Sequence, residues 1–173
     1  MKLYGSRIFL RAVEPSDVDA IYLFENSPET VPTALNSAPV SRHQVWEYVQ
    51  GYDSDIFSCG ELRLMIASVE TEESVGCIDI ADFNAVDRRG FVGIYIAERF
   101  RGRGYAGEAL SLLTEYAADT LGLHQLLALI ASDNKTSLSL FRSHGFKTCG
   151  CLRSWQRRGR SYCDVIICQR LFS

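Results

Sequence analysis

The octapeptide Arg99-Phe100-Arg101-Gly102-Arg103-Gly104-Tyr105-Ala106 constrains the fold more strongly than any other part of the chain. It follows a β-like run, and it opens a run whose apolar residues recur at steps of three and four, as on one face of a helix. Two glycines allow the main chain to approach a ligand closely, and the first turn of a helix leaves several N–H groups without intrahelical partners. With three arginines in the same place, this turn predicts a binding site for an anion, and a pyrophosphate-bearing cofactor fits it best.

Two ligand-binding patterns can be written through these residues. Gly102-x-Gly104-x-x-Gly107 has the form of the dinucleotide fingerprint of hydride-transfer enzymes. Arg99-x-x-Gly102-x-Gly104-x-Ala106 instead resembles the coenzyme-A pyrophosphate loop of the GNAT N-acetyltransferases. A glycine-rich turn with solvated arginines and no ligand is a third interpretation, so the surrounding elements have to distinguish among the three.

Length and charge exclude several classes of protein. A chain of 173 residues with 47% hydrophobic content can form one domain, which we expect to span residues 1–173, and is too short for two Rossmann halves with a substrate domain. The net charge of −3 gives no general attraction for nucleic acid. Residues 1–12 lack an apolar core of signal-peptide length, and no segment approaches the ~20 apolar residues of a membrane span. We therefore expect a cytoplasmic protein that binds neither nucleic acid nor membrane.

Cysteine and histidine spacing gives no support to a metal site. Cys149-Gly150-Cys151 lacks the two-residue spacer of a zinc knuckle, and the three histidines form no paired ligand spacing. Cys77, Cys163 and Cys168 lie in apolar β-like runs, where a reduced thiol behaves as a small hydrophobic group. We expect thiols in the core or on the surface, and no bound metal.

The order of predicted elements favours an α/β (α+β) fold with one mixed sheet. Apolar periodicity and turn signals predict a first strand at 8–12, helices at 16–26 and after the capping residue Ser41, and a long helix after the glycine loop. We expect about seven strands flanked by about four helices. The remaining predicted strands are 62–69, 75–83, 91–97, 125–131, 147–155 and 161–171, with a further helix at 134–144.

The same order argues against the dinucleotide interpretation. A Rossmann domain begins with its fingerprint and then repeats strand and helix, whereas here a three-stranded meander precedes the loop and only about seventy residues follow it. Asp133 could still mimic the ribose-binding carboxylate of that fold, so an NAD(P)-binding oxidoreductase is kept as the minor alternative.

Two further motifs carry a resemblance that covers nearly the whole chain. Gly104-Tyr105-Ala106-x-Glu108-Ala109-Leu110, and Asn134-x-x-Ser137 followed by Phe141-x-x-x-Gly145-Phe146, are similar to motifs of the GNAT N-acetyltransferase superfamily. They resemble in particular the subgroup that contains ribosomal-protein N-terminal acetyltransferases and spermidine N-acetyltransferases. The resemblance implies an enzyme that moves an acetyl group from acetyl-CoA directly to a primary amine.

The resemblance also implies where the donor binds. The sheet should splay beside the central strand, and the pantetheine arm should hydrogen-bond to the backbone around Ile94–Ile96. The pyrophosphate should bind N–H groups of residues 101–106, with direct phosphate contacts from Arg99 and Arg101 and a solvated Arg103. The predicted cofactor-binding residues are Ile94, Tyr95, Ile96, Arg99, Arg101, Gly102, Arg103, Gly104, Tyr105, Ala106, Asn134, Ser137 and Phe141.

Two aspartates are the candidates for the general base. An alkylammonium with a pKa of about 10.4 is neutral in only roughly one molecule in a few thousand at pH 7, so the acceptor needs a base. Asp79 and Asp82 match acidic positions of the spermidine enzymes, while Phe91-Val92-Gly93 stands where the superfamily often has a central-strand glutamate. Because the aspartates are three residues apart, they would face opposite sides of a regular strand. Unless a bulge intervenes, only one can then act as the base, and we prefer Asp82 at the strand end.

The group that would protonate the departing thiolate is less evident. Phe141 stands where the superfamily often has a tyrosine, and a phenyl ring donates no proton. Ser139 could reach the sulfur if it faces the cofactor, whereas Asn134 would orient the pantetheine or a water molecule. The predicted catalytic residues are therefore Asp82, Asp79, Asn134 and Ser139. The missing glutamate and tyrosine keep a catalytically silent acyl-CoA-binding protein as the second hypothesis.

The acceptor is defined only by its class. Glu25 and Glu29 could join the two aspartates in an acidic cleft for a polyamine, a small amine, or a protein N-terminus or side chain. Residues 36–39 lack the acidic pair expected of a spermidine enzyme, which weakens the polyamine assignment. We expect a small-molecule or protein amine as the partner, and a homo-oligomer as the assembly.

Overall fold

The computed structural model describes residues 2–28, 38–53 and 55–172, and one mixed sheet dominates them. The strands are β1 (Lys2–Tyr4), β2 (Ile8–Ala12), β3 (Leu62–Ser68), β4 (Ser74–Asn84), β5 (Arg89–Ile96), β6 (Gln125–Ala131), β7 (Lys147–Arg158) and β8 (Ser161–Leu171). The α-helices are α1 (Val18–Glu25), α2 (Arg42–Gly51), α3 (Ile56–Cys59), α4 (Tyr105–Asp119) and α5 (Lys135–Ser143).

The strand order is β1-β2-β3-β4-β5-β6-β8-β7, and β5–β6 is the parallel pair in an otherwise antiparallel sheet. The predicted α/β class with one mixed sheet is therefore confirmed. The described residues form eight strands and five α-helices, where the sequence predicts about seven and about four. The three-residue strand β1 and the single-turn helix α3 account for the difference, because neither is long enough to show a period in the sequence.

The start of α2 follows the sequence signal closely. The Gln44 N–H donates to Ser41 Oγ at 3.1 Å, and the Ser41 N–H donates to Gln44 Oε1 at 2.8 Å. This reciprocal pair is a capping box around the predicted cap Ser41, and it satisfies two backbone donors that a helix start leaves open. The helix therefore begins at the residue after the serine.

The predicted start of the first helix at residue 16 needs a correction, because Pro15–Asp17 forms a 3₁₀ turn and α1 begins at Val18. Asp17 completes the capping box of the 3₁₀ turn: its carboxylate accepts the Glu14 N–H at 2.8 Å and pairs with the two Arg11 Nη atoms at 2.6 and 2.7 Å. Burial alone would raise the pKa of Asp17, but these hydrogen bonds outweigh burial and hold the pKa below its ordinary value. The pair fastens the start of α1 to the sheet.

Helices cover the sheet on both sides. Ile66 and Ile78 belong to one apolar cluster with Leu110 and Leu113 of α4, and Leu138 of α5 joins it. We call this side the α4 face. On the opposite side, Met65 and Cys77 pack against apolar residues of α1 and α2, and we call it the α1–α2 face. No helix in the described ranges is long and apolar enough to cross a membrane.

The sheet opens in its middle, between β5 and β6. Their parallel pairing joins Arg89 to Gln125, Gly90 to Leu126 and Phe91 to Leu127, and it ends there. β5 continues to Ile96 while still paired with β4, and β6 continues to Ala131 while still paired with β8. The two strands therefore diverge beyond Phe91, and one edge of β5 faces the opening. The predicted splay of the sheet is confirmed.

A bulge interrupts β4 near its end. The register with β5 shifts between Ala81 and Asn84, and Asp82 within the shift has a φ of +48°. A bulge changes the direction in which the following side chains point. The alternation expected of a regular strand therefore relates Asp79 to its neighbours but does not extend to Asp82.

Candidate active site

The glycine loop between β5 and α4 depends on two left-handed residues. Gly102 has a φ of +72°, and Gly104, which precedes the first residue of α4, has a φ of +77°. Such angles favour glycine because a Cβ atom would be strained there. A Cβ at Gly104 would also lie 2.8 Å from Arg7 Nη1, whereas a Cβ at Gly102 would meet open space. The loop thus delivers its N–H groups to the start of a 15-residue helix.

Hydrogen bonds from Ser6 and Arg7, in the connection between β1 and β2, hold this loop in place, and we call them the brace. The sequence patterns do not predict them. Glu108, in the first turn of α4, accepts the Arg7 N–H at 2.8 Å, Arg7 Nε at 3.0 Å and the Ser6 hydroxyl at 3.2 Å. Arg7 Nη1 donates to the Arg103 carbonyl at 2.7 Å. Burial of Glu108 would raise its pKa, but these bonds outweigh it and lower the pKa. The sequence signal that could have revealed these contacts is Glu108, which belongs to the motif at the start of α4.

The three arginines of the loop take different directions. Arg101 Nε donates to the Ile96 carbonyl at 2.9 Å, so this side chain turns back to the end of β5. Arg103 is exposed, and its guanidinium lies 5.6 Å from the centre of the Phe100 ring. Arg99 forms an ion pair with Glu73 on the β3–β4 connection. Arg101 and Arg103 therefore lie at the loop, while the predicted phosphate contact of Arg99 would require it to leave Glu73.

The predicted residues of α5 divide into three groups. Asn134 Oδ1 accepts the Ser137 N–H at 3.0 Å and caps the helix, so both residues stand at its N-terminus. Phe141 is only 2% exposed and packs edge-on against Phe146 at 5.0 Å, which makes it a core residue. Ser139 lines a separate cavity of about 640 Å³ together with Lys135. The structure does not bring Ser139 together with the other predicted residues.

The flank of α5 that bears Ser139 points away from α4. On the α4 side, His144 lies 3.3 Å and Leu140 3.8 Å from the position of a Cβ at Gly107. The cavity instead lies over β8, where Ile166 contributes to its wall. A proton donor for a group between α4 and α5 would have to come from another place.

A row of residues crosses three strands on the α1–α2 face. Arg63 of β3 is the register partner of Asp79 of β4, and Asp79 is the register partner of Gly93 of β5. Directly opposed residues of neighbouring strands share a face of the sheet, and these positions alternate with Ile78 and Ile94 of the α4 face. Gly93 is exposed beside the opening between β5 and β6.

Arg63 binds two carboxylates in this row. Its Nε and Nη2 atoms donate to the two Asp79 oxygens at 2.9 and 3.1 Å, and Nη1 donates to Glu25 Oε1 of α1 at 2.8 Å. Tyr48 lies with its ring 5.4 Å from the guanidinium, and its hydroxyl donates to Glu61 at 3.4 Å. We call these five residues the Arg63 cluster.

The two predicted bases have different surroundings. Burial raises the pKa of Asp79, although the Arg63 guanidinium opposes that shift. Its Oδ2 atom lies 4.0 Å from the position of a Cβ at Gly93, within the segment 91–93 where the sequence resemblance places a glutamate. Asp82 is exposed at the β4 bulge. Glu29, Asn36 and Ser37 lie outside the described residues.

The described residues contain no group of three or more histidine, cysteine, aspartate or glutamate side chains placed to hold a metal ion. What they do contain is an opened parallel strand pair, a helix start rich in N–H groups at one end of it, and acidic side chains beside it on the opposite face. This arrangement defines the class of acyl-CoA-dependent acetyltransferases.

Comparisons with known proteins give the family. The family model of the Acetyltransferase (GNAT) domain matches residues 7–147. The chain is also 28% identical over 167 residues to the uncharacterized N-acetyltransferase p20 of Bacillus licheniformis, covering 94% of this chain and 92% of that protein. The chain therefore belongs to the GNAT acetyltransferase family, and its acyl donor is acetyl-CoA. The dinucleotide interpretation of the glycine loop is wrong.

Solved structures share the fold. Spermidine N-acetyltransferase from Vibrio cholerae in complex with CoA and spermine superposes with a TM-score of 0.85 at 23% identity, covering 96% of each chain. The dodecameric structure of the Vibrio cholerae spermidine N-acetyltransferase in an intermediate state gives a TM-score of 0.80 at 23% identity, covering 96% of this chain and 95% of that chain.

Proposed function

We propose that this protein transfers the acetyl group of acetyl-CoA directly to a primary amine, in the opening between β5 and β6. The observation that carries the proposal is the place of Asp79. Its carboxylate lies on β4, which pairs with the closed edge of β5, and it sits beside the exposed Gly93 on the face opposite α4. A donor that enters from the α4 face and an acceptor on the α1–α2 face would meet at this point.

The described residues fit the donor. Acetyl-CoA supplies an activated thioester. The open edge of β5 at Ile94–Ile96 would offer backbone groups to the pantetheine arm once Arg101 releases the Ile96 carbonyl. The N–H groups of residues 102–106 with the α4 dipole suit the pyrophosphate. Arg101 and Arg103 would add charge-assisted hydrogen bonds to the phosphates. Asn134 and Ser137, at the start of α5, would face the arm from the other side.

The reaction needs one proton acceptor and one proton source. The neutral amine nitrogen forms a bond to the thioester carbon, the carbon–sulfur bond breaks, and the sulfur takes the electron pair. The amine proton passes to Asp79, directly or through a water molecule, and the thiolate takes a proton from solvent to give free coenzyme A. We assign the base to Asp79 rather than Asp82, because Asp79 lies beside Gly93 on the strand that borders the opening, and its raised pKa favours uptake of a proton. Proximity and backbone polarisation would supply the rest of the acceleration.

The proposal extends to the assembly, the location and the domain organisation. The dodecameric assembly of the Vibrio cholerae relative supports a homo-oligomer for this chain. A cytoplasmic location stays a proposal, and the continuous sheet supports a single domain over residues 1–173.

Thermal shift and thiol release together test the proposed function. Coenzyme A and acetyl-CoA should raise the unfolding temperature while NAD(P) does not, and thiol release should require both acetyl-CoA and an amine. The panel should contain polyamines, alkylamines, amino acids and short peptides. Stabilisation by coenzyme A with no thiol release against any amine would overturn transfer in favour of a silent acyl-CoA-binding protein. No stabilisation by coenzyme A would overturn the proposed donor site.

A further inference from the structure

We propose that Arg63 is a positioning residue for acetyl transfer, and that it fixes the Asp79 carboxylate with Oδ2 toward the space beside Gly93. This role rests on the proposed function, because it concerns the base of that same site. Arg63 acts through Asp79, and it needs no contact of its own with the amine or the donor.

Arg63 holds Asp79 through both carboxylate oxygens. Its Nε donates to Oδ1 at 2.9 Å and its Nη2 to Oδ2 at 3.1 Å. Two bonds from one planar guanidinium fix the plane of the carboxylate, which a single bond would leave able to rotate. A carboxylate has about four lone-pair sites, and these two bonds take one on each oxygen. Oδ2, which lies 4.0 Å from the position of a Cβ at Gly93, can therefore still accept a proton from that side.

Arg63 is itself held by three neighbours. Its Nη1 donates to Glu25 Oε1 of α1 at 2.8 Å, and the Tyr48 ring of α2 lies 5.4 Å from the guanidinium. The Arg63 N–H donates to the Tyr52 hydroxyl, which donates back to the Arg63 carbonyl at 3.2 Å. The side chains of Arg63 and Asp79 are only 21% and 26% exposed. These contacts fix the guanidinium, and through it the carboxylate.

Burial gives the same pair an electrostatic role. Burial disfavours the charged carboxylate and raises the pKa of Asp79, while Arg63 opposes that rise. A buried aspartate without a cationic partner would hold its proton to a higher pH, and a protonated carboxyl cannot accept the proton of the amine. Arg63 therefore increases the fraction of Asp79 that is ionised and able to act as the base.

The other charges around Asp79 act in the opposite direction. The carboxylates of Glu25 and Glu61 raise its pKa further, because like charges disfavour ionisation. Gly93 of β5 contributes no side chain. The titratable groups that face Asp79 are Arg63 of β3, Glu25 of α1, Tyr48 of α2, Tyr52 after α2, Glu61 before β3 and Cys77 of β4.

The pH profile of Arg63→Gln tests this role. The substitution removes the charge and the paired bonds but keeps a long polar side chain. We expect the acid limb of kcat/KM for the amine to move up by roughly one to three pH units, because Asp79 loses its cation. At a pH below the new limb, kcat/KM should fall about tenfold for each unit of that shift. A merely structural loss would lower activity at every pH and leave the limb in place.

Arg42→Gln is the matched control. It makes the same change on the same face of the molecule, but Arg42 pairs with Asp19 at the surface, where the two side chains are 59% and 76% exposed. The acid limb should stay at its wild-type position in this variant.

Arg63→Lys separates orientation from charge. An ammonium keeps the positive charge but lacks the planar fork that holds both oxygens. We expect the acid limb to stay near that of wild type while kcat falls about fivefold, as for the loss of one hydrogen bond. A kcat equal to that of wild type would show that charge alone suffices, and would overturn the positioning role. If Arg63→Gln does not fold, this variant decides.

A double-mutant cycle tests whether Arg63 acts through Asp79. In the Asp79→Asn background, Arg63→Gln should cause little further fall in kcat/KM, because the group that it positions no longer accepts a proton. A fall as large as that in the wild-type background would overturn the role of Arg63.

The outcomes separate the two proposals. An Arg63→Gln variant whose acid limb is unmoved, with Asp79→Asn impaired, overturns the role of Arg63 and leaves acetyl transfer intact. Binding of coenzyme A with no transfer to any amine overturns the proposed function and the role of Arg63 with it.

Discussion

The two sides of the opening use different chemical groups: backbone N–H groups on the donor side and side chains on the acceptor side. On the donor side, the loop of residues 99–106 offers backbone N–H groups, and its glycines shape the main chain. On the acceptor side, the Arg63 cluster offers side chains from α1, α2, β4 and the segment around β3. A backbone site tolerates many neighbouring side chains as long as its dihedral angles are kept, whereas a side-chain site changes its preference with one substitution. The donor is therefore a property of the family, and the acceptor a property of the individual chain.

The largest effect should follow from removing the proposed base on the acceptor side. Asp79→Asn keeps the size of the side chain and an oxygen for Arg63, but it cannot accept the amine proton. We expect kcat/KM for the amine to fall by roughly 100-fold, with the affinity for coenzyme A unchanged. Asp82→Asn is the matched control and should remain close to wild type, because Asp82 is exposed at the bulge. If the Asp82 variant is the damaged one, the base is at the strand end and the assignment to Asp79 is wrong.

The pH profile of the same enzyme gives an independent measurement of that base. Because burial raises the pKa of Asp79, the acid limb of kcat/KM should lie above the ordinary range of an aspartate. Activity should fall as the pH drops through this raised pKa, since protonated Asp79 cannot accept a proton. The limb should disappear from the residual activity of Asp79→Asn. A limb at the ordinary pKa of an exposed carboxyl would contradict this.

The next largest effect should be a loss of coenzyme A affinity when the backbone of the donor loop is strained. Gly104→Ala places a Cβ at a φ of +77° and 2.8 Å from Arg7 Nη1, with strain of about 1–2 kcal/mol. We expect the affinity for coenzyme A, measured by calorimetry, to fall by about tenfold. Gly122→Ala is the control, because its φ is +62° and its Cβ would meet open space. Gly122→Ala should lower the free energy of unfolding and leave the affinity for coenzyme A unchanged. If the two variants bind coenzyme A with equal affinity, the donor site does not depend on the backbone at Gly104.

A smaller effect should come from the brace beneath the loop. Arg7→Ala removes the bond to the Arg103 carbonyl and the pair with Glu108. We expect KM for acetyl-CoA to rise about fivefold, the change that ~1 kcal/mol of lost hydrogen bonding produces, with kcat nearly constant. Arg160→Ala, at an exposed arginine of the β7–β8 turn, should change neither constant. An equal rise in KM for the amine would show that Arg7 supports the whole fold and not the loop.

The last prediction concerns how the stability of the fold depends on acid pH, and it has the smallest effect on the enzyme at neutral pH. Asp17 has a lowered pKa, so the stability it contributes is present above its ordinary value of 3.8 and is lost as the pH falls through the lowered value. The urea midpoint should therefore fall in that acid window, and Asp17→Asn should flatten part of the fall. Glu108→Gln provides the comparison on the donor side, where the pKa is also lowered. Equal slopes in wild type and Asp17→Asn would contradict the role of the Arg11–Asp17 pair.

The sequence predicts the donor half of the molecule better than the acceptor half, and the reason is physical. Gly102, Gly104 and the capping residue Asn134 act through local backbone geometry, which a short motif records. The Arg63 cluster joins residues as far apart as Glu25 and Asp79, and only strand register brings them together. The expectation that only one of the two aspartates can act as the base depends on a regular strand, and the bulge in β4 removes that condition.

The brace around Glu108 is a second set of contacts that the sequence does not predict, because its residues are distant along the chain. Glu108 belongs to a recognisable motif, but its partner Arg7 comes from a short β-turn about a hundred residues away. A Cβ at Gly5 would lie 2.1 Å from Glu108 Oε1, so a larger residue there would displace this carboxylate. Neither Gly5 nor Arg7 has a periodic or motif signal of its own in the sequence.

The short parallel pairing has a mechanical consequence. Three residue pairs form the backbone connection between a half-sheet of five strands and a half-sheet of three. A bound donor would hydrogen-bond along Ile94–Ile96 and also contact the start of α5. It would then form a second connection between the two half-sheets. Loading the enzyme should then stiffen the joint between its halves, and slower amide exchange at Gly90 and Phe91 would report that stiffening directly.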